Sequence, residues 1–163
     1  MPITRSVLKG LLFQCSETAV NEVNAPRAAQ NLGLKVTETK SAEGGEFTDL
    51  LTVEATKGDL RFEIAATLYG VHPRIVRLNG HSLEASPEGM LMIVENKDRP
   101  GMVGWIGTLL AKHQVNIASM SLSRGETGGK ALSVLNLDSM PTPELVKEIE
   151  ADPGILSVQV ARL

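Results

Sequence analysis

MLMIVENKDRPGMVGWIGTLLAKHQVNIASMSLSR, residues 90–124, changes its hydrophobic period twice, and those changes decide the fold. Residues 90–96 are apolar on both faces, which predicts a strand covered from two sides. Lys97, Asp98 and Arg99 then form a polar turn, and Met102, Val103, Trp105, Ile106, Leu109 and Leu110 recur as a helical stripe. From Val115 to Arg124 the pattern returns to that of a strand. Pro100 suits the first helical position, and Gly101 leaves the first amides of the helix open to close approach. Those free N–H groups and the positive end of the helix suit a carboxylate. Asp98 is placed to pair with an ammonium group, while Asn96 offers both a donor and an acceptor. Asn116 lies beyond the far end of the same helix, about 18 Å away at about 1.5 Å per residue, so a ligand touching both ends needs a second copy of the domain.

Downstream, GETGG (125–129) turns the strand back into KALSVLNLDS, and TPELVKEIEAD reads as a helix with Thr142 as N-cap and Pro143 at its first position. GILSVQVARL ends the chain as a strand with Leu156, Val158 and Val160 on one face. The order is βαββαβ, the split βαβ unit of ferredoxin-like folds. Upstream, Ile3, Val7, Leu8, Leu11, Leu12, Cys15 and Val20 keep helical spacing and predict a helix from Ile3 to Val23, broken by Asn24-Ala25-Pro26. APRAAQNLG predicts a second helix with Pro26 in its first turn and Gly33 as its stop. LKVTETK (34–40) reads as a strand, Ser41 to Glu46 as a loop, and DLLTVEAT-KGD-LRFEIAATLYG as a hairpin pairing Leu51, Val53 and Ala55 with Phe62, Ile64 and Ala66. Asn79-Gly80 marks a second hairpin turn. Pro87-Glu88-Gly89 is the expected boundary. The expected fold is therefore α+β in two domains: residues 1–88, two helices on a strand meander, and residues 89–163, the βαββαβ unit.

With 163 residues and 42% hydrophobic content the chain can bury a real core. A net charge of −3 without a basic block argues against nucleic acid as a partner, and only five aromatic residues (one Trp, one Tyr, three Phe) leave little for stacking bases. No apolar run approaches the roughly 20 residues a bilayer needs, and Met1-Pro2-Ile3-Thr4 opens no signal peptide, so the expected setting is the cytoplasm. The single Cys15 reads as a packed thiol rather than a nucleophile.

Self-contained catalytic chemistry is not visible. His72, His81 and His113 stand apart from one another and from Cys, Asp or Glu at ligand spacing, so no metal site is expected. No Gly-x-Gly-x-x-Gly follows a strand, and RGETGGKAL lacks both the spacing and the Ser or Thr of a phosphate loop. Met90, Met92, Met102 and Met120 sit among apolar neighbours and read as core, as does Trp105, with a subunit contact as its other role. Asp98 has a plain alternative as a helix cap, and Asn116 as a strand-starting turn residue.

LMIVENKDRPGMVGWIGTLLAKHQVNIASMSLSR resembles the opening of an ACT domain, whose motif pairs D/N-R-P-G with a later G-V-N-I. Here these stand as Asp98-Arg99-Pro100-Gly101 and Gln114-Val115-Asn116-Ile117, with Gln114 where the motif has Gly. The upstream half, with VNAPRAAQNLGLKV, TLYG and RIVRLNG, is similar to the intervening, anion-binding domain of long-form D-3-phosphoglycerate dehydrogenases. The resemblance implies the regulatory portion of such an enzyme, not itself catalytic and without a cofactor of its own, the parent enzyme using NAD. It implies L-serine or a similar small amino acid bound between two ACT domains at Asn96, Asp98, Arg99, Gly101 and Asn116, with feedback inhibition and self-association. It implies further a phosphate or phosphorylated acid near Arg74, Arg77 and His81. The rival reading is a purely structural oligomerisation module with a degenerate pocket, for which Gln114 is the main argument.

Overall fold

The computed structural model describes residues 2–13, 19–41 and 45–163. Residues 1–44 and 45–163 form two compact units. Cys15 lies outside the described residues, as do residues 42–44 of the expected loop.

The first unit holds α1 (Pro2–Leu12) and α2 (Ala25–Asn31), joined through Leu8, Leu12, Ala25 and Ala29. Helix α1 ends well short of the expected span. Val23 lies in a turn, 83% exposed, where Asn21 and Asn24 bond each other's backbone amides. Such Asn contacts offer the backbone an alternative to helical bonding. Helix α2 stops as expected: Gly33 adopts φ 71°, its amide reaching Gln30 and that of Leu34 reaching Ala29, the paired bonds of a Schellman cap. Residues 34–40 form no strand, correcting the reading of LKVTETK. Their alternation is real, but the described residues of this unit contain no second strand to bond them, and Leu34 and Val36 are exposed. Glu38 instead accepts a hydrogen bond from Thr4.

The second unit begins with a four-stranded antiparallel meander, β1 (Leu50–Lys57), β2 (Leu60–Tyr69), β3 (His72–Leu78) and β4 (His81–Ala85), in that spatial order. The hairpin register pairs Leu51, Val53 and Ala55 with Ala66, Ile64 and Phe62, as the two alternating rows require. Both partners of β3 shift register around Val76. Ile75 and Leu78, three apart, would face opposite sides of a regular strand; the bulge brings both into one buried cluster.

Next come β5 (Met90–Lys97), α3 (Met102–Lys112), β6 (Ile117–Arg124), β7 (Lys130–Leu137), α4 (Pro143–Glu150) and β8 (Ile155–Arg162). The strands stand in the order β6-β7-β5-β8, all antiparallel, so the expected βαββαβ topology is the observed one. One face carries α3 and α4 over Met92, Val94, Leu135 and Leu137; the other meets Ile75, Leu78 and Ala85 of the meander through Leu91, Leu132 and Val134. Central strands β5 and β7 are thus covered on both sides, which is why MLMIVEN lacks alternation. The expected boundary at 88–89 falls where the chain passes between these two sheets. There the buried Asn136 amide donates to the carbonyls of Ser86 (3.0 Å) and Glu88 (3.1 Å), while its oxygen accepts from Ser119.

Among the methionines, Met92 and Met102 are buried and Met90 and Met120 rest against the helix-side core, with Trp105 partly buried beside them. Thr142 caps α4 through the Leu145 amide, with Pro143 at its start. Glu148 on α4 ties the end of α3, accepting from Lys112 at 2.6 Å and lying 2.8 Å from His113. These partners hold its carboxyl below the usual carboxylate range, Lys112 first and then His113.

Candidate functional site

The turn between β5 and α3 is built by a glycine. Gly101 is the N-cap of α3 at φ 91°, a region that side chains with a Cβ avoid, and nothing stands within 4 Å of where that Cβ would be. The helix therefore starts at Met102, two residues later than the placement of Pro100 suggests. Among the described residues no side chain caps it, so Asp98 does not have the capping role that its position offered. The first helical bond runs from the Trp105 amide to Gly101, leaving the amides before it without helical partners.

Asn96, Asp98, Arg99 and Gly101 line one cavity of about 230 Å³, together with Met102, Ile106, Leu122 and Ser133. Asn96 is 3% exposed and its amide donates to the Lys97 carbonyl. Asp98 keeps 18% of its side-chain surface; its Oδ2 accepts from the Gly128 amide at 3.2 Å and stands 3.6 Å from Arg124. The cavity thus sets a carboxylate beside the open amide end of a helix, the pairing an ammonium and a carboxylate on one small molecule would match.

Arg99 lines the cavity, but its guanidinium is engaged elsewhere. Nη2 donates to Asp152 at 2.6 Å, Nε approaches the Met102 sulfur at 2.9 Å, and the group lies against Gly154, where an added Cβ would come within 3.3 Å of it. The Gly154 amide and then Arg99 hold the Asp152 carboxyl below the usual carboxylate range. Because this lowered value belongs to the folded chain, the contact is present above the ordinary Asp range and is lost as pH falls through the lowered value. Arg99 thereby fastens the turn to the α4–β8 connection. Sequence reasoning missed Asp152, Gly154 and Arg124, which lie 26 to 55 positions from the motif residues they serve.

Asn116 lies outside this cavity, past the opposite end of α3, donating to Asp138 at 2.7 Å. The helix exit before it is a second Schellman cap: Gln114 adopts φ 58°, its amide reaching Ala111 and that of Val115 reaching Leu110. The left-handed geometry explains why a Gly suits this position, and Gln114 keeps the exit at a cost in strain. Gln114→Gly is accordingly expected to raise stability by about 0.5–1 kcal/mol, the relief of strain outweighing the extra freedom of the unfolded chain, as read by urea unfolding.

On the meander, Arg77 holds Glu63 at 2.6 Å, and Arg74 stands 3.6 Å from Glu84 while donating to its neighbour's carbonyl. His81 opens β4 opposite Leu78. The nearby cavity of about 310 Å³ is lined by Arg61, Glu63, Asn79 and Gly80 and by none of these three. Among the described residues, no three His, Cys, Asp or Glu side chains are placed to hold a metal ion.

Residues 1–79 match the D-3-phosphoglycerate dehydrogenase intervening domain, and residues 90–154 match the ACT domain. The two parts of the chain are thus similar to those two domain families in turn. The chain is 34% identical to D-3-phosphoglycerate dehydrogenase of Methanocaldococcus jannaschii, over 99% of this chain and 30% of that protein. For the Bacillus subtilis protein of that name the identity is 33%, over 99% and 31%, and for that of Mycobacterium tuberculosis 35%, over 97% and 30%. The chain thus spans less than a third of the length of the curated relatives it matches. Within the ACT domain the turn 98–101, the cavity and α3 all fall inside the matched residues, and so does Asn116. Among the described residues, no helix is long and apolar enough to cross a membrane.

Proposed function

We propose that this chain is the regulatory portion of an NAD-dependent D-3-phosphoglycerate dehydrogenase, and that it binds L-serine where two ACT domains meet. The observation carrying the reading is the cavity that joins the Asp98 carboxylate to the open amides of α3. The amino acid's carboxylate faces those amides, its ammonium faces Asp98, and Asn96 orients the remainder. Asn116 of a second copy completes the pocket, since its own copy holds it at the other end of the helix. Serine bridging two copies stabilises one relative arrangement, and in a full-length enzyme that bias alters how the catalytic domains close. The proposal extends to a phosphate-bearing anion near Arg74, Arg77 and His81, which would have to displace Glu63 and Glu84.

Calorimetry with L-serine on a sample shown to be dimeric tests the reading; no heat at millimolar ligand rejects it. Asn116→Ala is expected to weaken binding by about 1–3 kcal/mol, because a buried polar group of the ligand loses its partner. Unchanged affinity removes Asn116 from the site. A structural oligomerisation module is the second reading, favoured by the partners Asp98 already has in Gly128 and Arg124. A dimer indifferent to amino acids supports it.

A further inference from the structure

The hairpin turn between β6 and β7 is fastened to the binding turn at one residue. The Asp98 amide donates to the Gly129 carbonyl at 2.8 Å, the Gly128 amide donates to Asp98 Oδ2 at 3.2 Å, and Arg124 Nη1 approaches the same oxygen at 3.6 Å. Lys130, the next cation on this hairpin, is instead held by Glu95 at 3.0 Å. Among the described residues, Arg124 is therefore the cation paired with Asp98. Its side chain is 59% exposed and its contact is longer than a direct hydrogen bond, so the charge is shared rather than locked away.

We infer that Arg124 is an affinity-setting residue of the amino-acid site, an internal counter-charge with which a ligand's ammonium group must compete for Asp98. This rests on the proposed serine site and adds its regulation. An α-ammonium approaching Asp98 meets a carboxylate already half satisfied by the Gly128 amide and by Arg124. It must share or displace the guanidinium, while the bonds from the Asp98 amide to Gly129 and from the Gly128 amide to Asp98 hold the turn in place. The consequence runs against the usual result of deleting a charged residue beside a binding site: removing this one strengthens binding.

Calorimetry with L-serine on the dimeric wild-type chain, Arg124→Gln and Arg124→Lys tests the inference. Arg124→Gln is expected to bind about two- to fivefold more tightly, the range of an exposed ion pair, while Arg124→Lys returns to the wild-type affinity because it restores the charge. If wild type binds and Arg124→Gln binds equally or more weakly, the inference is overturned while the serine site stands. A gain that Arg124→Lys shares overturns it too, since charge would then not be the cause. Absence of heat from all three proteins rejects the site itself and the counter-charge with it.

Discussion

Asp98→Asn is expected to weaken L-serine binding by about 1.5–3 kcal/mol, roughly ten- to more than a hundredfold, without unfolding the chain. The substitution keeps the shape of the side chain and removes its charge, so the loss falls on the contacts that use the charge, the ligand's ammonium and the internal pair with Arg124. A charge-assisted hydrogen bond in a partly buried setting is about twice as strong as a neutral one, and Asp98, at 18% side-chain exposure, has that setting. The fold has little reason to respond. The turn is fixed by backbone bonds from Lys97 to Gly154 and from Asp98 to Gly129, neither of which involves the carboxylate. The remaining carbonyl oxygen of Asn still accepts from Gly128. Calorimetry reports the affinity and a thermal melt the fold; an affinity within twofold of wild type would remove the ammonium from Asp98.

The βαββαβ half was legible because its elements satisfy themselves locally. MLMIVEN is apolar on both faces because it is central in a covered sheet, and the stripe from Met102 to Leu110 is the face of α3 that lies on it. The cavity side of the site was legible for a similar reason: Asn96, Asp98 and Gly101 are brought together by one turn. What the sequence withheld depends on partners far along the chain. Arg99 looks like a ligand contact until Asp152, 53 positions on, is seen to hold it. Residues 34–40 alternate like a strand, but alternation does not provide a neighbour to bond. Val76 breaks the parity of β3, and an extra residue of this kind leaves no signature when both Ile75 and Leu78 are apolar. Gln114 carries the opposite lesson, since the family pattern marks the position for Gly and the backbone keeps the left-handed turn regardless.

Leu135→Ala is expected to cost the larger unit about 2–5 kcal/mol, the heaviest single loss among these substitutions. Leu135 is fully buried in β7, within the cluster formed by Met92, Ile106, Leu110, Leu145 and Ile149. The cost of such a truncation depends on whether the surroundings can close over the space. Here they are held on every side. β5 and β6 flank β7, pairing Met92 and Met120 with Leu135, α3 and α4 lie above, and the opposite face of β7 is pinned by Leu132 and Val134 against the meander. Helix α3 cannot tilt inward without disturbing the Gly101 cap and the tie from Lys112 to Glu148. A loss of this size is a substantial share of the 5–15 kcal/mol that typically separates folded from unfolded chains. Urea unfolding followed by far-ultraviolet circular dichroism measures it, with Leu156→Ala as the control: Leu156 is 43% exposed and its truncation is expected to stay within about 0.5 kcal/mol. If the two variants unfold at the same urea concentration, β7 is not the centre of a three-layer core, and α3 would lose the rigid floor that positions its amide end beside Asp98.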